Sequence, residues 1–141
     1  MGIEICAMEN LSELQLQYVG SQITACFPSP AEDYLENLLD LNKALIKNPS
    51  ATFFGRVKGL SMKDAGVDDG DLLVIDKSLQ YHKDALAVCF INGEFTLKRI
   101  QKEGDRILLM PANPDFEPIP VGAEDDFMIW GIVTYIIKKA S

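Results

Sequence analysis

The chain has 141 residues, of which 48% are hydrophobic and 24% are charged, and its formal net charge is -8. This length and composition suit one globular chain with a core of its own. The acidity argues against direct binding to DNA or RNA phosphates, although a protein partner could itself hold nucleic acid.

The three cysteines, Cys6, Cys26 and Cys89, form no CxxC pair. Neither a disulfide framework nor a zinc site is therefore predicted, and a reducing cytoplasm is the expected location. The first residues carry acids where a signal peptide needs basic and then apolar residues. No apolar run approaches the roughly 20 residues of a membrane span, so no membrane association is expected.

Residues 1–30 are predicted to form an extended, weakly packed arm, because they hold no basic side chain and no clear hydrophobic period. The following sequence SPAE predicts a helix start, with Ser29 as N-cap and Glu32 completing a capping box. Apolar residues continue at helical spacing: Tyr34, Leu38, Leu41 and Leu45. Pro49 would stop this helix. Asp40 could instead cap a shorter second helix, and the sequence leaves both open.

From residue 52 onward the pattern is typical of β-structure. The predicted strands are Thr52–Lys58, Leu72–Asp76, Ala85–Ile91, Glu94–Ile100, Arg106–Met110 and Phe127–Lys138. Asn92 and Gly93 are the residues that a type I′ hairpin turn requires. Closely spaced strands after one N-terminal helix predict a mostly β domain over residues 31–141, with curled, partly closed sheets.

No metal or cofactor site is predicted. The aspartates of KDAGVDDGD invite a calcium interpretation, yet an EF-hand loop begun at Asp64 would need other residues than Gly66, Asp69 and Ile75 at its diagnostic positions. The segment is instead predicted to be an acidic turn before a strand. Glycine-rich nucleotide motifs are absent from the sequence.

Ser61 in GLSM raises the question of what could activate its hydroxyl. The single histidine, His82, is predicted to be a solvated loop residue, and nothing pairs it with Ser61. Lys98 lies on a predicted strand whose period of two places Thr96, Lys98 and Ile100 on one face. An exposed strand lysine is the commoner state. A lysine buried beside apolar groups would have a lowered pKa and could act as a general base.

Four separated motifs occur in order: FPSPAEDYLENLLDLNKALIKNPSATFF, GLSM, DGDLLVID and NGEFTLKRIQ. Together they resemble the LexA/UmuD family of self-cleaving Ser-Lys peptidases, and the resemblance extends from about Phe27 to the C-terminal WGIVTYIIKKA. It implies the fold of the LexA C-terminal domain, which signal peptidases share. It also implies a short N-terminal arm in place of a DNA-binding domain.

Residue by residue, the resemblance assigns the nucleophile to Ser61 and the general base to Lys98. It places the self-cleavage site between Ala25 and Cys26, and an oxyanion hole in backbone N–H groups near Ser61. The family usually has glycine after the cut, and the Cys26 side chain here narrows how the backbone can enter a cleft. Relatives also commonly carry Asp where this chain has Leu60.

The resemblance further implies partners and a process. Cleavage would be slow until the chain meets a RecA filament on single-stranded DNA, which acts as coprotease. The product would be a homodimer that joins a UmuC-type polymerase for error-prone lesion bypass in the SOS response. Three alternatives are a non-catalytic binding module for a polymerase or RecA, a peptidase acting on other chains, and a repressor. Residues 1–25 are too few for the DNA-binding domain that a repressor needs.

Overall fold

The computed structural model describes residues 2–7, 15–19, 35–59, 63–112 and 115–141. Two compact units are distinguished along the chain. The larger comprises residues 1–8 and 48–141, and the smaller comprises Glu9–Lys47. No helix in the described part of the chain is long and apolar enough to cross a membrane.

Ten strands and one short α-helix are found in the described residues. In chain order they are β1 (Gly2–Ala7), β2 (Gln15–Val19), β3 (Leu35–Asp40), α1 (Leu41–Leu45), β4 (Thr52–Lys58), β5 (Leu72–Asp76), β6 (Leu86–Ile91), β7 (Glu94–Glu103), β8 (Arg106–Met110), β9 (Ile119–Val121) and β10 (Phe127–Ile137). Single 3₁₀ turns lie at Pro49–Ala51 and Lys63–Ala65. The mostly β class predicted from the sequence is therefore confirmed.

In the residues that the structure describes, the larger unit is built on one antiparallel sheet of eight strands, in the order β1-β4-β5-β10-β6-β7-β8-β9. No described pairing joins β1 to β9, so the sheet is open, although it curls enough to bring β1 beside β7. The predicted turn between β6 and β7 is present. Both Asn92 (φ 48°) and Gly93 (φ 88°) have the positive φ that a type I′ turn requires.

Alternating side chains divide the buried apolar residues of this unit into two core clusters on opposite faces of β6 and β7. The first cluster consists of Val57, Val67, Leu73, Ile75, Val88 and Leu97. The second consists of Ala85, Ala87, Cys89, Ile100, Leu109 and Ile132. Trp130 packs edge-on against both Phe53 and Phe95, with ring centroids 4.9 and 5.3 Å away. Burial on both faces explains why these strands are rich in apolar residues.

Most strand predictions agree closely with the structure. Three of the six predicted strands have the observed bounds, and β7 extends three residues further, to Glu103. The strand β9 was missed because it is only three residues long and contains Pro120. Proline has no backbone N–H to donate to a neighbouring strand. An edge strand such as β9 tolerates this, because it has a neighbour on one side only.

The smaller unit corrects the helix prediction. Residues 35–40 form strand β3, which pairs antiparallel with β2, so a continuous helix through them is wrong. Cross-strand pairing outweighs the helical spacing of a short leucine-rich segment. The alternative is confirmed, since the Asp40 carboxylate accepts a hydrogen bond from the Asn42 N–H at 3.0 Å and caps α1. Ser29 and Glu32 lie outside the described residues.

The predicted N-terminal arm lies only partly within the described residues. Gly2–Ala7, expected to be weakly packed, instead form a strand of the main sheet. Gln15–Val19 form another strand in the smaller unit. The domain boundary at residue 30 remains a prediction.

Candidate active site

Lys98 lies in the middle of β7, and its side chain points into the second core cluster. Only 4% of the residue is exposed. Ala87 stands directly opposite it on β6, and Cys89 and Ile100 are its diagonal and same-strand neighbours on that face. The period of two therefore predicted the correct face for Lys98. Unlike most strand lysines, Lys98 is buried and not exposed.

Burial makes the charged form of Lys98 unfavourable. Removal from water lowers the pKa of Lys98 below its ordinary value. Burial also raises the pKa of the neighbouring Cys89 thiol to about 12. The thiol therefore stays neutral and supplies no counter-charge. Within the described residues, no hydrogen bond or ion pair holds the Lys98 ammonium.

This environment gives Lys98 a definite chemical capacity. A neutral amine has a lone pair and accepts a proton from a hydroxyl, which an ammonium cannot do. A lowered pKa increases the neutral fraction near physiological pH, which a general base requires. The burial of Lys98 thus favours the neutral form of the amine that such a base requires.

The burial of Lys98 should also lower the free energy of unfolding of the chain. Since folding lowers its pKa, the unfolded chain binds more protons between the folded pKa and the ordinary value of about 10.4, and the free energy of unfolding rises with pH in that window. We expect Lys98→Met to raise the free energy of unfolding at neutral pH by about 1–3 kcal/mol, because methionine removes the cost of burying a polar, ionisable group. Urea unfolding at a series of pH values measures this.

The advantage of Lys98→Met should shrink as the pH approaches the ordinary lysine value. Lys102→Met is the matched control, because Lys102 is an exposed lysine on the same strand. Its effect should stay within about 0.5 kcal/mol at every pH. A Lys98→Met chain less stable than wild type at neutral pH would contradict the unfavourable burial of the charge.

The other predicted site residues lie outside the described part of the chain: Ser61, Leu60, Ala25 and Cys26. On the N-terminal side of Ser61, β4 ends at Lys58, and the Gly59 N–H donates to the Asp69 carboxylate at 3.0 Å. Gly59 has a φ of 102°, which favours glycine. The pairing of Ser61 with Lys98, the oxyanion hole and the scissile bond all remain predictions.

The aspartate-rich segment forms the predicted acidic turn before β5. The Asp71 carboxylate accepts a hydrogen bond from the Asp68 N–H at 2.8 Å, and the Lys138 ammonium lies 2.6 Å from both carboxylates. These aspartates fix the turn against the C-terminal end of β10. Their hydrogen bonds give the acidic cluster a structural role.

His82 lies at the rim of a cleft of about 780 Å³ beside β7. It is exposed, and its Nδ1 is 3.1 Å from the Lys83 carbonyl oxygen. Tyr81, its neighbour, reaches inward and donates a hydrogen bond to the Ile100 carbonyl. The solvated loop position predicted for His82 is what the structure shows.

Cys89 is the residue that sequence reasoning overlooked. It is fully buried beside Lys98 and belongs to the apolar cluster on that face of the sheet. A signal was available, because a two-residue turn at Asn92 and Gly93 fixes the hairpin register. That register places Ala87 opposite Lys98 and Cys89 two residues along on the same face.

An open antiparallel sheet with few helices among the described residues is consistent with the LexA-like C-terminal domain fold. The chain belongs to the Peptidase S24-like family, whose model matches residues 17–134. The resemblance to the LexA/UmuD family found in the sequence motifs is thereby confirmed.

Named relatives agree with this assignment. The chain is 44% identical to Protein SamA of Salmonella typhimurium over 115 residues, covering 82% of this chain and 79% of that protein. It is 42% identical to Protein MucA of Escherichia coli over 115 residues, or 81% and 78% of the two chains. It is 38% identical over 140 residues to the LexA repressor of Acidithiobacillus ferrooxidans, covering 97% of this chain and 66% of that repressor.

Proposed function

We propose that the chain is a UmuD-like serine peptidase that cuts itself between Ala25 and Cys26, with Ser61 as nucleophile and Lys98 as general base. The observation that carries the proposal is the burial of Lys98 among apolar groups, which lowers its pKa. Membership of the Peptidase S24-like family supports a serine as its partner. Ser61 is the residue that the family motif assigns.

In the proposed reaction, the segment around the scissile bond lies at the active site as an extended strand held by main-chain hydrogen bonds. Neutral Lys98 takes the Ser61 proton, and the hydroxyl oxygen attacks the Ala25 carbonyl carbon. Backbone N–H groups near Ser61 stabilise the resulting oxyanion. The C–N bond then breaks, and Lys98 returns the proton to the departing Cys26 amine. Lys98 next removes a proton from water, and the resulting hydroxide attacks the Ala25 acyl carbon. The ester C–O bond to Ser61 then breaks, Lys98 returns the proton to the Ser61 oxygen, and the Ala25 carboxylate is released.

The proposal extends to regulation and partners through the family resemblance. A RecA filament on single-stranded DNA would favour the cleavable conformation without supplying a catalytic group, which is a population shift. Residues 26–141 would then form a homodimer and assemble with a UmuC-type polymerase in SOS mutagenesis. The net charge of -8 fits a cytoplasmic subunit that leaves DNA contact to its partners.

Mass spectrometry after incubation with RecA, nucleotide and single-stranded DNA tests the proposed function. We expect two new products whose masses correspond to residues 1–25 and 26–141. A reaction without RecA should show the same cut at a lower rate, and alkaline pH should increase that rate because more Lys98 is neutral. An intact chain under all these conditions would favour a non-catalytic binding module for a polymerase or RecA.

A further inference from the structure

The N-terminal strand β1 lies at one edge of the main sheet. It pairs antiparallel with β4 in a continuous register from Gly2 opposite Lys58 to Ala7 opposite Phe53. In the described sheet, β4 has β5 on its other side, and β1 is hydrogen-bonded to no second strand, although β7 lies beside it. The backbone edge of β4 is therefore covered by β1.

The hydrogen-bonding direction of β4 follows from its contacts with the chain before β5. The Val57 N–H donates to the Asp71 carbonyl at 2.9 Å, and the Val57 carbonyl accepts from the Gly70 N–H at 2.8 Å. Val57 and every second residue therefore bond toward β5. Phe54 and Arg56 have the opposite direction, so their N–H and C=O groups face β1.

The side chains of β1 fit the surface beside this edge. Ile3 and Ile5 pack against the first core cluster. A Cβ atom at Gly55 would lie 2.8 Å from Ile3 Cγ2 and 3.0 Å from Ile75 Cδ1, so glycine at this position leaves space for the isoleucine. The space beside Gly55 at the β4 edge therefore fits an apolar side chain of β1.

The opposite face of β1 adds a charge contact. Glu4 and Cys6 are exposed. Glu4 forms an ion pair with Lys58, and this hydrogen bond and the Lys58 charge lower the pKa of Glu4. The strand β1 is therefore held by backbone pairing, by apolar contact on one face, and by an ion pair with Lys58 on the other face.

The chain connects β1 to the rest of its sheet through the residues of the smaller unit. Residues 1–8 belong to the unit that holds the sheet, whereas Glu9–Lys47 form the other unit. The proposed cut between Ala25 and Cys26 falls in that connecting segment. Once it is cut, β1 has no covalent connection to the sheet and is held only by the contacts described above.

We infer that the β4 edge is a peptide-binding site whose ligand is the N-terminal strand of this chain. Self-cleavage then yields a two-chain complex in which residues 1–25 remain bound, and the exposed β4 edge appears only when that fragment dissociates. Before the cut, the tether supplies an effective concentration on the order of millimolar. Afterwards, occupancy depends on protein concentration. The two-chain state rests on the proposed cleavage, but the binding site does not.

Hydrogen exchange on the intact full-length chain tests the site without any cleavage. The amides of Phe54 and Arg56 should exchange slowly because they bond to β1, whereas those of Ile3 and Ile5 should exchange quickly at the outer edge. Ile5→Asp should accelerate exchange at Phe54 and Arg56 at least about tenfold. Protection at Leu97 in the core reports whether the variant still folds.

Cys6→Asp is the matched control, because it adds the same charge to the exposed face of the same strand. It should leave exchange at Phe54 and Arg56 unchanged. Unprotected amides at these two positions in the wild-type chain would overturn the inference, as would equal acceleration by both variants. If Ile5→Asp also loses protection at Leu97, the variant is unfolded and the test rests on the wild-type chain. Slow exchange at Phe54 and Arg56 then supports the inference, and fast exchange there contradicts it.

Native mass spectrometry of the cleaved wild-type chain tests the complex itself. Fragment 1–25 should remain bound to residues 26–141 in a one-to-one complex and dissociate on dilution, and Ile5→Asp should release it at once. Fragments that separate immediately in the wild type would overturn the retained complex while leaving self-cleavage intact. A chain that is never cut would instead refute the proposed function. Hydrogen exchange on the intact chain would still test whether β1 binds the β4 edge.

Discussion

A Lys98→Arg chain is expected to remain uncut from neutral to alkaline pH, with RecA or without it. Arginine is also a basic residue, but its guanidinium stays protonated, so it cannot take a proton from a hydroxyl. General-base catalysis contributes about 10²–10⁴-fold to a rate, and we expect a loss of at least about 100-fold. Quantitative mass spectrometry of the two products over time gives the rate.

Lys102→Arg is the matched control for this loss. Lys102 lies on the same strand as Lys98 but is exposed. Its replacement should leave the cleavage rate unchanged, which separates the chemical role of a buried amine from a general effect of arginine on β7. Cleavage of Lys98→Arg near the wild-type rate would remove Lys98 as the base.

Ser61→Ala is expected to abolish self-cleavage, with the loss limited only by detection. Removing the nucleophile of an unrelated serine peptidase lowers its turnover on the order of 10⁶-fold, and no other hydroxyl in this chain carries the family motif. The measurement is again product mass after incubation with RecA and single-stranded DNA. The variant should retain the unfolding profile of the wild type.

Two further serine variants sharpen that result. Ser50→Ala removes an exposed hydroxyl from the 3₁₀ turn before β4 and should cut at the wild-type rate. Ser61→Cys keeps a nucleophilic atom at the position, so an acyl-enzyme trapped there would identify the attacking residue directly. Normal cleavage in Ser61→Ala would show that another residue attacks.

The sheet of this protein was largely predictable because its signals are local. A two-residue turn at Asn92 and Gly93 sets the register of β6 and β7, and alternation then sets the face of each side chain. The face of Lys98 followed from this reasoning. Its burial did not, because the cluster on that face also includes Ile132 of β10, a strand distant in sequence.

Elements whose conformation depends on pairing with a distant strand were harder to predict from the sequence. Helical spacing suggested a helix through residues 35–40, but pairing with β2 makes this segment a strand. Gly2–Ala7 gave no strand signal, because their extended form depends on the open edge of β4 and the space at Gly55. The position of Cys89 beside Lys98, in contrast, is fixed by the local register of the β6–β7 hairpin.

The ionisation of Lys98 itself provides the most direct test of the proposed chemistry. Carbon-13 NMR of lysine Cε atoms, in a Ser61→Ala chain that cannot cut itself, follows the titration of each lysine. We expect one signal to titrate below all the others and to be missing from a Ser61→Ala/Lys98→Arg chain, since burial lowers the pKa of Lys98. If every lysine titrates together near the ordinary value of about 10.4, Lys98 is a charged bystander and not a base.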